Sequence, residues 1–172
     1  VRDVAGDDIL VCVDQEGGRV QRLREGFTRL PSLSVLGRLH DTDPVAAIER
    51  TEEHAWIMAS EMRATGIEFS FAPVADLDRG SAAIGNRALH ADPEVASDLV
   101  QAYVRGMHLG GMAAVLKHFP GHGSVSEDTH ESAATDPRSK AAIARTDLSP
   151  FVAGFEARAG DRARVEIGRA SG

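Results

Sequence analysis

Apolar positions along the chain fall into short blocks separated by longer amphipathic stretches. Ile9 to Val13 is a continuous apolar run, fit for a strand buried on both faces. Asp43-Pro44 then predicts a helix start, with Asp as N-cap and Pro at the first helical position. Ile48, Thr51, Ala55, Met58 and Met62 recur at helical spacing, and Gly66 ends the helix. Ile67 to Ala72 predicts a second strand. Asp92-Pro93 repeats the helix-start chemistry, Val95, Leu99, Ala102 and Met107 supply the apolar face, and Gly110-Gly111 closes it. Met112 to Leu116 predicts a third strand. Asp136-Pro137 predicts a third helix, which Pro150 breaks or restarts.

This alternation of strand and helix predicts an α/β fold with a parallel sheet. Long polar loops follow the carboxyl ends of the strands, the place where such sheets build their sites. Three units fill only part of an eight-unit barrel of about 250 residues. The pattern therefore reads as either a small open sheet or a portion of a barrel.

Composition narrows the function classes. The 172 residues make one domain, and the net charge of −7 argues against a general nucleic-acid binder. No apolar run reaches the length of a membrane helix. Cys12 is the single cysteine, so no internal disulfide framework forms, and its apolar neighbours make it a small buried hydrophobe. These features suit a cytoplasmic protein. The chain starts at Val1 with no signal-peptide pattern and runs into its first strand, as if beginning mid-domain. Residues 156–172 form an atypical tail without an apolar period and read as a truncated or frame-shifted end, leaving residues 1–155 as the domain.

Four stretches carry candidate chemistry. Asp14 to Arg22 places two carboxylates and two guanidiniums after the first strand. Asp14 can accept hydrogen bonds from ligand hydroxyls and Arg22 can donate to an oxygen; a salt-bridged turn around Gly17-Gly18 explains the same residues. Asp76 and Asp78, with Arg87 in Ile84-Gly85-Asn86-Arg87, suit a sugar, a metal or internal ion pairs. Lys117-His118 leads from a strand into Pro120-Gly121, and two adjacent polar donors at that point are not core-like. Asp128 and His130 stand two apart, so in extended chain they point the same way. Asp128 can then fix the His130 tautomer for general acid and base work, or the contact is incidental. His118 and His122 have the HxxxH spacing of a metal site, but Pro120, Gly121 and Gly123 forbid the helix that spacing requires. No metal is expected. The chain has no GK[ST] phosphate loop and no GxSxG elbow.

Taken together, DQEGGRVQRL, FSFAPVADLD, AIGNRALHADPE and KHFPGHGSVSEDTH resemble the family 3 glycoside hydrolases, in particular the bacterial β-N-acetylhexosaminidases of peptidoglycan recycling. The resemblance runs from about Ile9 to about Phe155. It implies a portion of a (β/α)8 TIM-type barrel with parallel strands. It implies hydrolysis of terminal β-linked N-acetylglucosamine from muropeptides carrying anhydro-N-acetylmuramic acid, with retention of configuration and no cofactor. By position, Asp14, Arg22, Arg87, Lys117 and His118 match substrate-binding residues. His130 matches the acid/base and Asp128 its dyad partner, where most glycosidases use a carboxylic acid. The family's nucleophile is an aspartate on a later strand, and no segment of this chain matches it. The chain alone is therefore expected to turn over little or no substrate. Two alternatives stand beside hydrolysis: a phosphorylase of the same family, and a sugar-binding chain without catalysis. The expected partner is a small saccharide, with no nucleic acid and no membrane.

Overall fold

A computed structural model describes Val4, Gly6, residues 9–125 and 135–157, and the backbone of residues 165–169. Four parallel strands run side by side in chain order. β1 (Cys12–Val13) pairs with β4 (Phe69–Ser70), in register Cys12 to Phe69. β4 meets β5 (Ala114–Phe119) through Phe69–Ala113, and a second parallel bridge joins Val74 to Lys117. β5 pairs with β6 (Val165–Arg169), Ala114 opposite Val165. The remaining strands, β2 (Gln15–Gly17) and β3 (Val20–Gln21), form a short antiparallel ribbon beyond the end of β1.

The helices return the chain between parallel strands: α1 (Leu33–His40) and α2 (Pro44–Ala64) between β1 and β4, and α3 (Pro93–Leu109) between β4 and β5. α4 (Lys140–Arg145) and α5 (Ser149–Glu156) follow β5. Successive β/α units in spatial order give a partial (β/α)8-type barrel. No helix among the described residues is long and apolar enough to cross a membrane.

The two Asp-Pro starts behave as their chemistry dictates. Asp43 accepts from Ala46 N at 3.0 Å, and Asp92 from Glu94 N at 2.8 Å, each with Pro in the first turn. The predicted faces are the buried ones. Thr51, Ala55, Met58 and Met62 of α2 meet Leu99, Val100, Tyr103 and Met107 of α3 in one core with Leu33, Leu36, Leu116 and Phe151. Small residues let the two helices close up. A Cβ on Gly106 would stand 2.1 Å from the Glu52 carbonyl oxygen.

Several expectations change. Asp136-Pro137 does not start a helix: Arg138 takes the Asp136 carboxylate, and α4 begins at Lys140 with Ser139 as N-cap. Pro150 lies in the first turn of α5, so it restarts the helix there. α1 and the β2–β3 ribbon carry no periodic signal long enough to have predicted them. Cys12 is exposed, and so is Leu10 at 73%. The cause is positional: β1 has no partner strand on its other side among the described residues. The tail, which lacks an apolar period, contributes the backbone of β6.

Candidate functional site

The carboxyl ends of the parallel strands gather the polar residues. Asp14 follows β1, Asp76 follows β4, and Lys117 and His118 lie in the last half of β5. The ribbon adds Glu16 from β2. The loop between β4 and α3 adds Arg87, which ends a 3-10 turn (Gly85–Arg87).

Two buried carboxylates organise the cations. Glu16, 1% exposed in its side chain, accepts Arg87 in a two-pronged pair, Nε to Oε2 at 2.9 Å and Nη2 to Oε1 at 2.8 Å. The Lys117 ammonium lies 2.6 Å from the same Oε1 and donates to Asp14 Oδ1 at 2.5 Å. Burial by itself would lower the Arg87 pKa. The Glu16 hydrogen bonds, with the charges of Glu16, Asp76 and Asp14, outweigh that and raise it.

Asp76, fully buried, grips the loop after β5. Its Oδ2 accepts from His118 Nδ1 at 2.6 Å and from the His118 backbone N–H at 3.2 Å, and its Oδ1 accepts from His122 N at 2.6 Å. These bonds set the histidine tautomer. Nδ1 carries the proton toward Asp76, and Nε2 is left to accept from Arg87 Nη2 at 3.4 Å. Arg87 also donates to Ala83 O, and Arg19 ties the same loop to the ribbon through Ala83 O and Ile84 O.

The cluster has a clear inside and outside. Glu16 and Asp76 are sealed, whereas the Asp14 side chain is 41% exposed. Asp14 is thus the carboxylate a ligand can reach, flanked by Lys117, Arg87 and an edge of His118. Two cations stand against three carboxylates among the described residues, a balance that disfavours an anionic ligand and suits a neutral one rich in hydroxyls. Among the described residues, no three His, Cys, Asp or Glu side chains gather as a metal ion would need.

Of the residues singled out in the sequence, Asp14, Asp76, Arg87, Lys117 and His118 therefore meet. Arg22 does not join them: it is exposed, and its contact is a backbone one, N–H to Gln15 Oε1 at 2.8 Å. Asp78 also stays outside, its backbone N–H bonded to His90 O. Asp128 and His130 lie outside the described residues. Glu16 enters the sequence reading only as one of two carboxylates after the first strand, and Asp76 only as one of a pair with Asp78; the structure makes both of them the buried holders of the cluster. Each stands two residues from another acidic residue, Asp14 and Asp78 respectively, and nothing local to the sequence says which member turns inward.

Comparison with known proteins gives this geometry a family. Residues 3–162 match the sequence profile of the glycosyl hydrolase family 3 N terminal domain. A beta-hexosaminidase of Stenotrophomonas maltophilia (strain R551-3) is 57% identical over 157 residues, covering 91% of this chain and 47% of that protein. One from Xylella fastidiosa (strain M12) is 55% identical over the same length. The chain thus spans about half the length of the curated relatives it matches. Among solved structures, NagZ from Neisseria gonorrhoeae in complex with N-trifluoroacetyl-D-glucosamine superposes with a TM-score of 0.87 at 41% identity, over 94% of this chain and 47% of that one. A family 3 beta-N-acetylglucosaminidase from Paenibacillus sp. str. FPU-7 gives a TM-score of 0.80 at 38% identity, over 92% of this chain and 30% of that one. A parallel β/α sheet with its polar cluster at the strand ends, and a profile match across most of its length, make this chain a member of glycosyl hydrolase family 3.

Proposed function

We propose that these residues form the sugar-binding half of a β-N-acetylglucosaminidase that removes terminal N-acetylglucosamine from muropeptides. The observation that carries this reading is the convergence of Asp14, Arg87, Lys117 and His118 in one hydrogen-bonded cluster, with Asp14 as the open carboxylate. Asp14 accepts ring hydroxyls, while Lys117 and Arg87 donate to sugar oxygens. Glu16 and Asp76 keep those donors aimed and charged. The likeness to beta-hexosaminidases and to a structure holding an N-acylated glucosamine supports the same ligand class.

Hydrolysis on this reading retains configuration. A carboxylate nucleophile, for which we assign no residue of this chain, attacks the anomeric carbon and forms the glycosyl-enzyme bond. His130, oriented by Asp128, gives its proton to the departing glycosidic oxygen. The same His130 then takes a proton from water as water displaces the carboxylate. Arg22, exposed and with its side chain outside the cluster, contacts the substrate on this reading. No cofactor takes part. The net negative site argues for water over phosphate as the second acceptor. The exposed thiol of Cys12 suits a reducing compartment, and we place the protein in the cytoplasm. Residues 1–155 form the family domain and residues 156–172 an atypical tail.

The test uses the protein as its gene encodes it, with a nitrophenyl β-N-acetylglucosaminide and the anhydro-muropeptide. We expect release of β-N-acetylglucosamine with retained configuration, unchanged by added phosphate, and a loss of kcat of about a thousandfold in His130→Ala. Sugar 1-phosphate in the presence of phosphate would make it a phosphorylase. Binding without turnover would leave a sugar-binding protein.

A further inference from the structure

The ribbon that carries Glu16 is irregular at that residue. Gln15 pairs with Gln21 and Gly17 with Val20, so β2 advances two residues where β3 advances one. Glu16 is the extra residue of a β-bulge, and a bulge turns one side chain out of the strand's alternation. Here it turns the Glu16 carboxylate onto Arg87 and Lys117. The ladder offers no partner for the backbone carbonyl of a bulged residue. That carbonyl is taken instead from outside the ribbon, by His54 of α2, whose Nε2 lies 3.0 Å away.

His54 is suited to this contact. It is 4% exposed, and burial lowers its pKa to about 4, so the ring is neutral and donates through Nε2–H. Its other nitrogen, Nδ1, has no hydrogen-bond partner among the described residues, so among them Glu16 is the group that fixes the tautomer. Tyr103 of α3 packs against the ring at 5.6 Å between centroids and holds its plane. Gly17 completes the seat. Its φ is +101°, and a Cβ there would meet Pro31 O at 2.5 Å and the His54 ring at 3.1 Å.

We infer that His54 is a positioning residue: by holding the carbonyl of the bulged Glu16, it aims the Glu16 carboxylate and so the Arg87 and Lys117 donors at the sugar. This rests on the sugar-binding reading of the site, and extends the functional set to a residue behind it on a helix of the outer layer.

Three variants of the protein as its gene encodes it test the inference. His54→Gln can place an amide N–H where Nε2 stands. His54→Asn is polar but too short to reach, and His54→Leu fills the space without a donor. Affinity for N-acetylglucosamine is measured by calorimetry, alongside the melting temperature and the NMR signal of the Arg87 Nε–H. We expect Gln to keep the native affinity within about twofold, and Asn and Leu to lose about tenfold, with the Arg87 signal displaced in those two alone. Should Leu fail to fold, the comparison of Gln with Asn decides. Native affinity in Asn or Leu overturns the inference. An equal loss in all three variants also overturns it, because the loss then follows ring removal rather than the donor. If the native protein binds no N-acetylglucosamine, the sugar reading fails, and the Arg87 signal in Gln against Asn still decides whether His54 aims the pair.

Discussion

At the residue scale the site separates carboxylates that hold from a carboxylate that binds. Asp14 is open to solvent, and Lys117 keeps Glu16 if Asp14 is removed. Asp14→Ala should therefore raise the Kd for N-acetylglucosamine by about tenfold or more, with a melting temperature within about 2 °C of native. Calorimetric titration and a thermal melt check both halves. Glu16→Gln should do the reverse damage. It leaves Arg87 and Lys117 buried beside a neutral amide, at a cost of about 3 kcal/mol in urea unfolding. His54 adds a pH dependence. Its folded pKa, about 4, lies below the value of about 6.5 in an unfolded chain, so the unfolded state binds the proton first as pH falls. Its stabilising contribution is full above about pH 6.5 and lost near pH 4, an effect of up to about 3 kcal/mol. Urea midpoints measured between pH 7 and 4 should fall less steeply in His54→Gln than in the native protein. The sequence reveals Asp14, Arg87, Lys117 and His118 because a buried strand does not end in polar groups without a use for them. It hides the roles of Glu16 and His54, which come from a bulge and from a contact 38 residues away along the chain, and it shows Asp76 as a carboxylate without showing the turn 42 to 46 residues on that it holds.

At the scale of elements, the termini and crossings carry the information. Asp43-Pro44 and Asp92-Pro93 cap their helices as read, since among the described residues no cation competes for the capping carboxylate. Asp136-Pro137 fails for the opposite reason: Arg138 binds Asp136 with one edge and Asp147 with the other. Asp147 is the centre of this group. It is buried, and it also accepts from Ser124 Oγ at 3.0 Å and Thr146 Oγ1 at 2.6 Å. Burial alone would raise its pKa, but the hydrogen bonds from Arg138, Thr146 and Ser124 prevail and lower it. Its contribution to stability is therefore present above the unfolded value of about 3.9 and is lost as pH falls through the lower folded value. Asp147→Asn should cost about 2 kcal/mol at pH 7, and the gap from native should narrow below about pH 4 in urea titrations. The α2–α3 crossing makes a second demand. Gly106→Ala puts a methyl 2.1 Å from the Glu52 carbonyl, which neither helix backbone can yield cheaply. The helices must separate, and the melting temperature should fall by several degrees, corresponding to about 2 kcal/mol.

At the scale of the whole molecule, the alternation of strands and helices is legible as parallel β/α units, because apolar runs and Asp-Pro caps are local signals. Sheet edges are not local signals, which is why Cys12 and Leu10 read as core and lie exposed. β1 has a partner on one side only among the described residues, and a parallel strand edge with exposed apolar neighbours is a template for another chain. The outer helices add Val45, Trp56 and Leu109 to the exposed apolar surface. The 172-residue chain produced by itself should therefore self-associate. Light scattering should give a mass above that of one chain, and Leu10→Lys should lower it by placing a charge on the edge. On the mechanism proposed, the same chain should bind N-acetylglucosamine through Asp14 and turn over little or no β-N-acetylglucosaminide, since the retaining route needs a nucleophile beside the acid and no residue of this chain is assigned to it. A monomer with a sharp cooperative melt would contradict the edge argument. Turnover by that monomer, lost in His130→Ala, would place the nucleophile within these 172 residues.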